Sequence, residues 1–218
     1  MNKLTLVILA LTSLLWFTAC SNSDDNTPAP NNNTYNLQVI NKTTGISTLL
    51  QGGYSNGVKG SLSLIKLNDG TDIINGIPVL KIKSDTSITL DNGYTSQDSS
   101  ISLVDDNGFT LAFDDTLAYC TLTTDRQIIP TAATIGTTSS GTAIYSCDDS
   151  TNRTMTWSLS DAGNGNANYI LKTVITGTVQ SEGTTTITIT PQNKIIYYKI
   201  YVNVIAQGIT GTFEGSVN

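Results

Sequence analysis

The feature that most constrains this chain is an alternation of apolar and polar residues with a period of two, running from Tyr35 onward and broken by turn formers about every eight to twelve positions. Successive side chains of a strand point to opposite faces, so this pattern gives each segment one face for a core and one for water. In the segment from Arg153 to Leu159, Met155, Trp157 and Leu159 share one face, and Thr154, Thr156 and Ser158 the other. The same alternation turns Ile101 with Leu103, Leu111 with Phe113, Ile187 with Ile189, and Ile209 with Phe213 and Val217 inward. Asn56-Gly57, Asn68-Asp69-Gly70, Asp91-Asn92-Gly93, Asp106-Asn107-Gly108 and Ser181-Glu182-Gly183 tolerate positive φ and are expected as hairpin ends of an antiparallel meander. No long helical period competes, Glu occurs only at 182 and 214, and β-branched residues abound, which excludes an α-helical fold.

An all-β antiparallel β-sandwich is the expected fold, with a lipocalin-like β-barrel as the alternative. Gly211 and Gly215 share a face with Ile209, Phe213 and Val217. Small inward residues can open a cavity or permit a tight barrel corner. The sequence leaves that choice open.

The N-terminus carries Lys3 and then a largely apolar run from Leu4 to Phe17. It is shorter than the roughly 20 residues that span a bilayer core and fits the apolar region of a secretory signal peptide. The following Phe17-Thr18-Ala19-Cys20 resembles the lipobox of bacterial lipoproteins, with Phe17 standing where Leu is most common. The resemblance implies that Cys20 is lipidated and becomes the new N-terminus, so that the chain meets the membrane through a lipid anchor. An ordinary signal peptide cut near Ala19 is the competing reading. Ser21 resembles the sorting residue of outer-membrane lipoproteins. Asp24-Asp25 resembles acidic surface-export signals, or is simply a solvated linker. The expected organisation is a signal peptide over 1–19, a flexible lipid-anchored linker over 20–34 and one all-β domain over 35–218. The expected location is the outer membrane of the bacterial cell envelope, facing the periplasm or the surface.

Export agrees with the cysteines. Beyond Cys20 only Cys120 and Cys147 remain, an even pair expected to form a disulfide. That bridge spans a composition shift at Ile128-Ile129-Pro130 and argues for one continuous domain, with Thr124 to Ser140 as a long surface loop.

The chain has no histidine, which removes Ser-His-Asp, Cys-His and zinc-hydrolase chemistry. Ser63 and Lys66 match a Ser-x-x-Lys spacing, but three positions along a strand puts them on opposite faces. Asp105-Asp106, Asp114-Asp115 and Asp148-Asp149 are adjacent and diverge, so they are expected as solubilising charges at strand ends rather than as paired catalytic carboxylates. The loop from Asp161 to Asn168 is the best calcium candidate, yet it departs from the EF-hand pattern and reads more simply as a turn. No cofactor, no metal site and no enzymatic activity are expected, and the net charge of −6 disfavours nucleic acid as a partner.

Trp157 alternates with core residues and reads as packing, and the tyrosines scattered through the pattern locate no site. The longest strand candidate runs from Lys194 to Ala206, with Ile196, Tyr198, Ile200, Val202, Val204 and Ala206 as its apolar face. Its other face carries Tyr197, Lys199 and Tyr201, the candidate binding face, which can equally pack beneath neighbours. The expected role is therefore a lipid-anchored, non-catalytic binding or surface-interaction module for a protein or small-molecule partner. A carrier of a small apolar ligand and a calcium-stabilised adhesive module are the alternatives.

Overall fold

The computed structural model describes residues 32–135, 140–177, 180–205 and 208–217. The signal segment, Cys20 and the tether through residue 31 lie outside the described residues, as does Ala206.

The alternation becomes strands throughout. In chain order these are β1 (Thr34–Tyr35), β2 (Ile46–Tyr54), β3 (Lys59–Ile74), β4 (Ile77–Leu90), β5 (Thr95–Asp105), β6 (Thr110–Asp114) and β7 (Tyr119–Leu122). There follow β8 (Ala133–Thr134), β9 (Ser140–Cys147), β10 (Asn152–Gly163), β11 (Asn166–Thr176), β12 (Ser181–Ile189), β13 (Ile195–Val204) and β14 (Ile209–Ser216). One short helix, α1 (Leu37–Lys42), precedes β2. Its N-cap is Asn36, whose side chain accepts from the Val39 N–H.

Twelve strands form one closed antiparallel barrel, and β1 pairs with β8 apart from it. This corrects the expected sandwich in favour of the barrel. Alternation is the same in both architectures, and the difference lies in whether the first and last strands of the sheet pair. Here β14 pairs with β2, and glycines make that seam possible. A Cβ on Gly211 would lie 2.8 Å from the Tyr54 ring, and one on Gly52 would lie 2.7 Å from the Phe213 Cα. Gly211 and Gly215 therefore admit the Tyr54 ring and the β2 backbone rather than opening a cavity.

Cys120 and Cys147 sit directly opposite each other on β7 and β9, with Cα atoms 4.1 Å apart, and are disulfide-bonded. The hairpins at Asn56-Gly57, Asp91-Gly93 and Asp106-Gly108 form as expected. Two other turn assignments do not. Asn68-Asp69-Gly70 is an irregularity inside the β3–β4 ladder, whose hairpin turn is Asn75-Gly76, both with positive φ. Ser181-Glu182-Gly183 opens β12, where Gly183 pairs with Thr173 and Val202.

One mouth of the barrel is filled by α1. Leu37 and Ile40 are buried in the core, and Asn41 Nδ2 donates to the Gly108 carbonyl. Of the segment expected as a surface loop from Thr124 to Ser140, of which residues 136–139 lie outside the described residues, most described positions are exposed or half-buried, but Ile129 to Ala133 touch this mouth. The Leu37 N–H donates to the Pro130 carbonyl, Ile129 and Ala133 are buried, and β8 pairs with β1. The apolar side chains of Ile129 and Ala133 anchor the segment there, while Asp125, Arg126, Ile128, Thr131 and Ala132 stay exposed.

Candidate functional site

The lumen holds two small cavities. The first is lined by Leu64 and Lys66 of β3, Ile82 and Ser84 of β4, Ser100, Ser102 and Val104 of β5, Thr185 and Ile187 of β12, Tyr198 and Ile200 of β13, and Asn41 of α1, with a volume of about 40 Å3. Residues from opposite walls meet there, which fixes the inward parity of every strand involved. On β5 the inward residues are Ser100, Ser102 and Val104, so Ile101 and Leu103 belong to the other face, a correction to their expected inward placement. Leu103 is nonetheless buried. Alternation names two faces without saying which one the barrel encloses, and here the hydroxyl face is inside.

The second cavity, also about 40 Å3, lies toward α1 among Phe109, Ile129, Tyr145, Met155, Trp157 and Tyr169. Trp157 is packing, as expected, with its ring 6.4 Å from that of Tyr169.

Lys66 turns into the first cavity while Ser63 faces outward, as the strand spacing requires. Although Lys66 keeps some accessible surface, desolvation of its amine lowers its pKa to about 8. The hydroxyls of Tyr198 and Thr185 line the same space, are 2% and 1% exposed as residues, and have no hydrogen-bond partner. Burial raises the Tyr198 pKa above the usual phenol range.

Away from the α1 mouth the lumen contains a buried ion pair that the sequence pattern did not disclose. Arg153 shares its face with Met155 and Trp157 and is wholly buried, and its Nη1 donates to Asp115 Oδ2. Asp115 Oδ1 accepts the backbone N–H groups of Leu117 at 2.9 Å and Ala118 at 3.1 Å. The guanidinium carbon lies 5.1 Å from the centre of the Phe113 ring, while Nε and Nη2 have no hydrogen-bond partner. The tandem aspartates are thus not merely solubilising. Asp115 is a buried counter-ion, Asp105 is 1% exposed and pairs with Arg126, and Asp148 and Asp149 fasten turns by accepting from Tyr119 and Thr151.

On the outer wall, β13 presents Tyr197, Lys199 and Tyr201 side by side, opposite the buried row Tyr198, Ile200 and Val202. An irregularity in the β12–β13 ladder brings Ile195 rather than Ile196 into the core, which shifts the start of the expected apolar row. The Val204 side chain lies outside the described residues. Tyr197 and Tyr201 are half-buried, and Lys199 pairs with Glu214 across the ladder at 3.1 Å. Desolvation, with Glu214 beside it, raises the Tyr197 pKa to about 12. This face is partly covered and already paired.

A larger concavity, about 530 Å3, lies on the outer wall over β3, β4 and β5. Outward Ser63, Ile65, Asp85, Ser87, Gln97 and Ser99 line it, with Thr116 of the β6–β7 turn. Burial works against ionisation of Asp85, but the Ser99 hydroxyl and the Lys83 ammonium outweigh it and hold the carboxyl below the ordinary range. Asp98 also lines the concavity, and its Oδ2 is buried without a hydrogen-bond partner. No sequence motif marked this surface, because its residues come from three strands at positions that each look like ordinary wetted alternation.

The calcium candidate loop is the β10–β11 hairpin, with Gly163, Asn164 and Gly165 all at positive φ. Its Asp161 Oδ1 accepts from the Gly163 N–H, and its Gly165 carbonyl accepts from Asn33 Nδ2 and the Tyr35 hydroxyl. It clasps the N-terminal segment. Comparison of the chain with protein-family models, with curated proteins and with solved structures finds no match in any of the three.

Proposed function

We propose that the protein is a non-catalytic binding module of the bacterial cell envelope, tethered through lipidated Cys20, that meets a polar partner on the outer wall formed by β3, β4 and β5. The observation that carries this reading is a contrast of volumes. Sites for small organic ligands occupy roughly 300–1,000 Å3. The outer concavity falls in that range at about 530 Å3, whereas each lumen cavity is about 40 Å3. The Asp85 carboxylate among the outward hydroxyls favours a partner that brings hydrogen-bond donors, such as the hydroxyls of a glycan or an ammonium group.

The outer wall supports a water-facing barrel. Ion pairs Lys83–Asp85, Lys172–Glu182 and Lys199–Glu214 stand on it at 3.0, 3.4 and 3.1 Å, where a lipid-facing wall carries an apolar band. The lipid anchor rests on the Phe17-Thr18-Ala19-Cys20 resemblance. A lipocalin-like carrier is the second reading, favoured by the closed, plugged barrel, and it requires the lumen to open well beyond its present cavities.

Two variants test the proposal. Cys20→Ser should move the chain from the membrane to the soluble fraction, since one acyl-bearing residue supplies its membrane affinity; retention after a high-salt wash would refute the anchor. Ser87→Arg should fill the outer concavity and abolish binding of any neutral oligosaccharide or polyamine that the unmodified protein retains. Binding that survives Ser87→Arg would place the recognition surface elsewhere.

A further inference from the structure

We infer that the α1 mouth of the barrel rests on the bilayer that holds the acylated N-terminus, with Ile73 and Ile128 as the side chains that meet its lipid. The inference rests on the proposed acylation of Cys20 and adds to it an orientation and a second membrane contact. Ile128, 81% exposed, and Ile73, 68% exposed, are the two most exposed large apolar side chains among the described residues. Both stand at this mouth, together with exposed Val39 of α1 and Leu67 of β3. Ile128 precedes Ile129, whose carbonyl accepts from Gln38 Nε2 of α1. β3 continues from Leu67 to Ile74 past Lys66, its last partner on β2, so Ile73 is carried on a hairpin arm. On the other side of that arm Val79 of β4 pairs with Asp105, next to the β5–β6 hairpin that Asn41 of α1 holds. Contiguous exposed apolar surface of this kind marks a place where a partner or a membrane is met.

The place where the N-terminal segment joins the barrel decides between partner and membrane. Asn33 Nδ2 and the Tyr35 hydroxyl donate to the Gly165 carbonyl, and β1 pairs with β8, all at the α1 mouth. Cys20 and Asn33 are 13 positions apart, so the chain between them spans at most about 45 Å. An anchor at Cys20 therefore brings this mouth, rather than the opposite one, to the bilayer. Apolar side chains carried to that interface gain by moving their hydrocarbon out of water, and a second contact of this kind strengthens a lipid anchor. Lys42 Nζ donates to the Asp106 carbonyl, and Lys81 and Arg126 pair with Asp69 and Asp106 at 3.2 and 3.1 Å. With these cations engaged, the patch fits a zwitterionic lipid surface through its hydrocarbon rather than an anionic one through charge. The outer concavity reaches Thr116 of the β6–β7 turn, away from this mouth, and stays open to a partner in this orientation.

The test uses the chain extracted from membranes with its lipid, placed in phosphatidylcholine nanodiscs, with its Ile, Leu and Val methyl groups labelled for NMR. Doping the bilayer with a phosphatidylcholine that carries a nitroxide near its headgroup should weaken the methyl signals of Val39, Ile73 and Ile128 several-fold. Leu49 and Ile144 on the walls and Ile205 at the opposite end, all exposed apolar side chains, should keep theirs. Ile73→Asp combined with Ile128→Asp, both at exposed positions, should leave the chain anchored and restore the Val39 signal. Uniform weakening, no weakening, or weakening greatest at Ile205 would overturn the inference alone, provided that mass spectrometry finds acyl groups on Cys20. An unmodified Cys20 would instead refute the anchor, and the inference with it. A second copy of the chain on this face, seen as concentration-dependent shifts of the same methyl groups in Cys20→Ser with no lipid present, would overturn it as well.

Discussion

Truncating the two partners of the buried Arg153–Asp115 pair should give unequal results, and the inequality follows from the hydrogen bonds that each deletion leaves behind. Asp115→Ala strands a wholly buried guanidinium that already has two nitrogens without partners, and it also orphans the N–H groups of Leu117 and Ala118. Breaking one side of a buried pair costs about 3–5 kcal/mol, and each stranded N–H adds part of the 1–3 kcal/mol that an unmet buried donor costs, which puts Asp115→Ala at about 5 kcal/mol. Arg153→Met removes the cation but leaves the Asp115 carboxylate with both backbone donors, and Met refills the space beside Phe113. Its cost should be about 2 kcal/mol. The double variant should be more stable than Asp115→Ala alone by about 2 kcal/mol, because no unpaired charge remains. Urea titrations of the three variants, with the disulfide intact and with slopes checked for constancy, measure these differences. Equal costs for the two single variants, or costs that simply add in the double, would refute the reasoning.

Lys66 predicts an unusual alkaline trend. Its folded pKa of about 8 lies below the ordinary 10.5, so between those values the unfolded chain holds a proton that the folded chain has released, and stability rises with pH across the window. The full difference is about 3 kcal/mol. The buried tyrosines, whose folded pKa values are raised, oppose it above about pH 10, so the comparison is wild type against Lys66→Met by denaturant titration from pH 8 to 10, where only the wild type should gain. Reducing Cys120–Cys147, which are 27 residues apart, should lower stability by about 3.5 kcal/mol, and an unchanged thermal midpoint on reduction would contradict this. Gly211→Ala should cost about 1–3 kcal/mol by pressing on the Tyr54 ring at the seam, and pairing it with Tyr54→Ala should recover part of that loss in the same denaturant assay.

Alternation was enough to read β10 correctly, because Met155, Trp157 and Leu159 contrast sharply with the threonines and serine between them. The cysteine count was enough to pair Cys120 with Cys147, since only two thiols stand beyond Cys20 and they offer one bridge. Alternation failed on β5, where Ser100 and Ser102 line the lumen and Ile101 and Leu103 do not, because both faces of that strand are amphipathic. Closure of the barrel depends on β14 meeting β2, a contact between segments more than 150 positions apart, and a glycine at 211 is equally consistent with a cavity until Tyr54 is placed against it. The helix α1 was missed because six residues hold too few turns to show a period. The candidate sites were the least legible. Arg153 and Asp115 are 38 positions apart, and the outer concavity combines outward residues of three strands that look individually unremarkable.

Recognition by the outer wall rather than by the lumen is tested most directly by backbone amide chemical-shift mapping of the protein titrated, in parallel, with neutral oligosaccharides, polyamines and medium-chain fatty acids. Saturable shifts should cluster on Ser63, Asp85, Ser87, Gln97 and Ser99 with a donor-bearing ligand, while the fatty acids leave Leu64, Ile187 and Tyr198 unmoved. Saturable fatty-acid shifts at those three lumen residues, with the outer wall silent to every ligand, would contradict it.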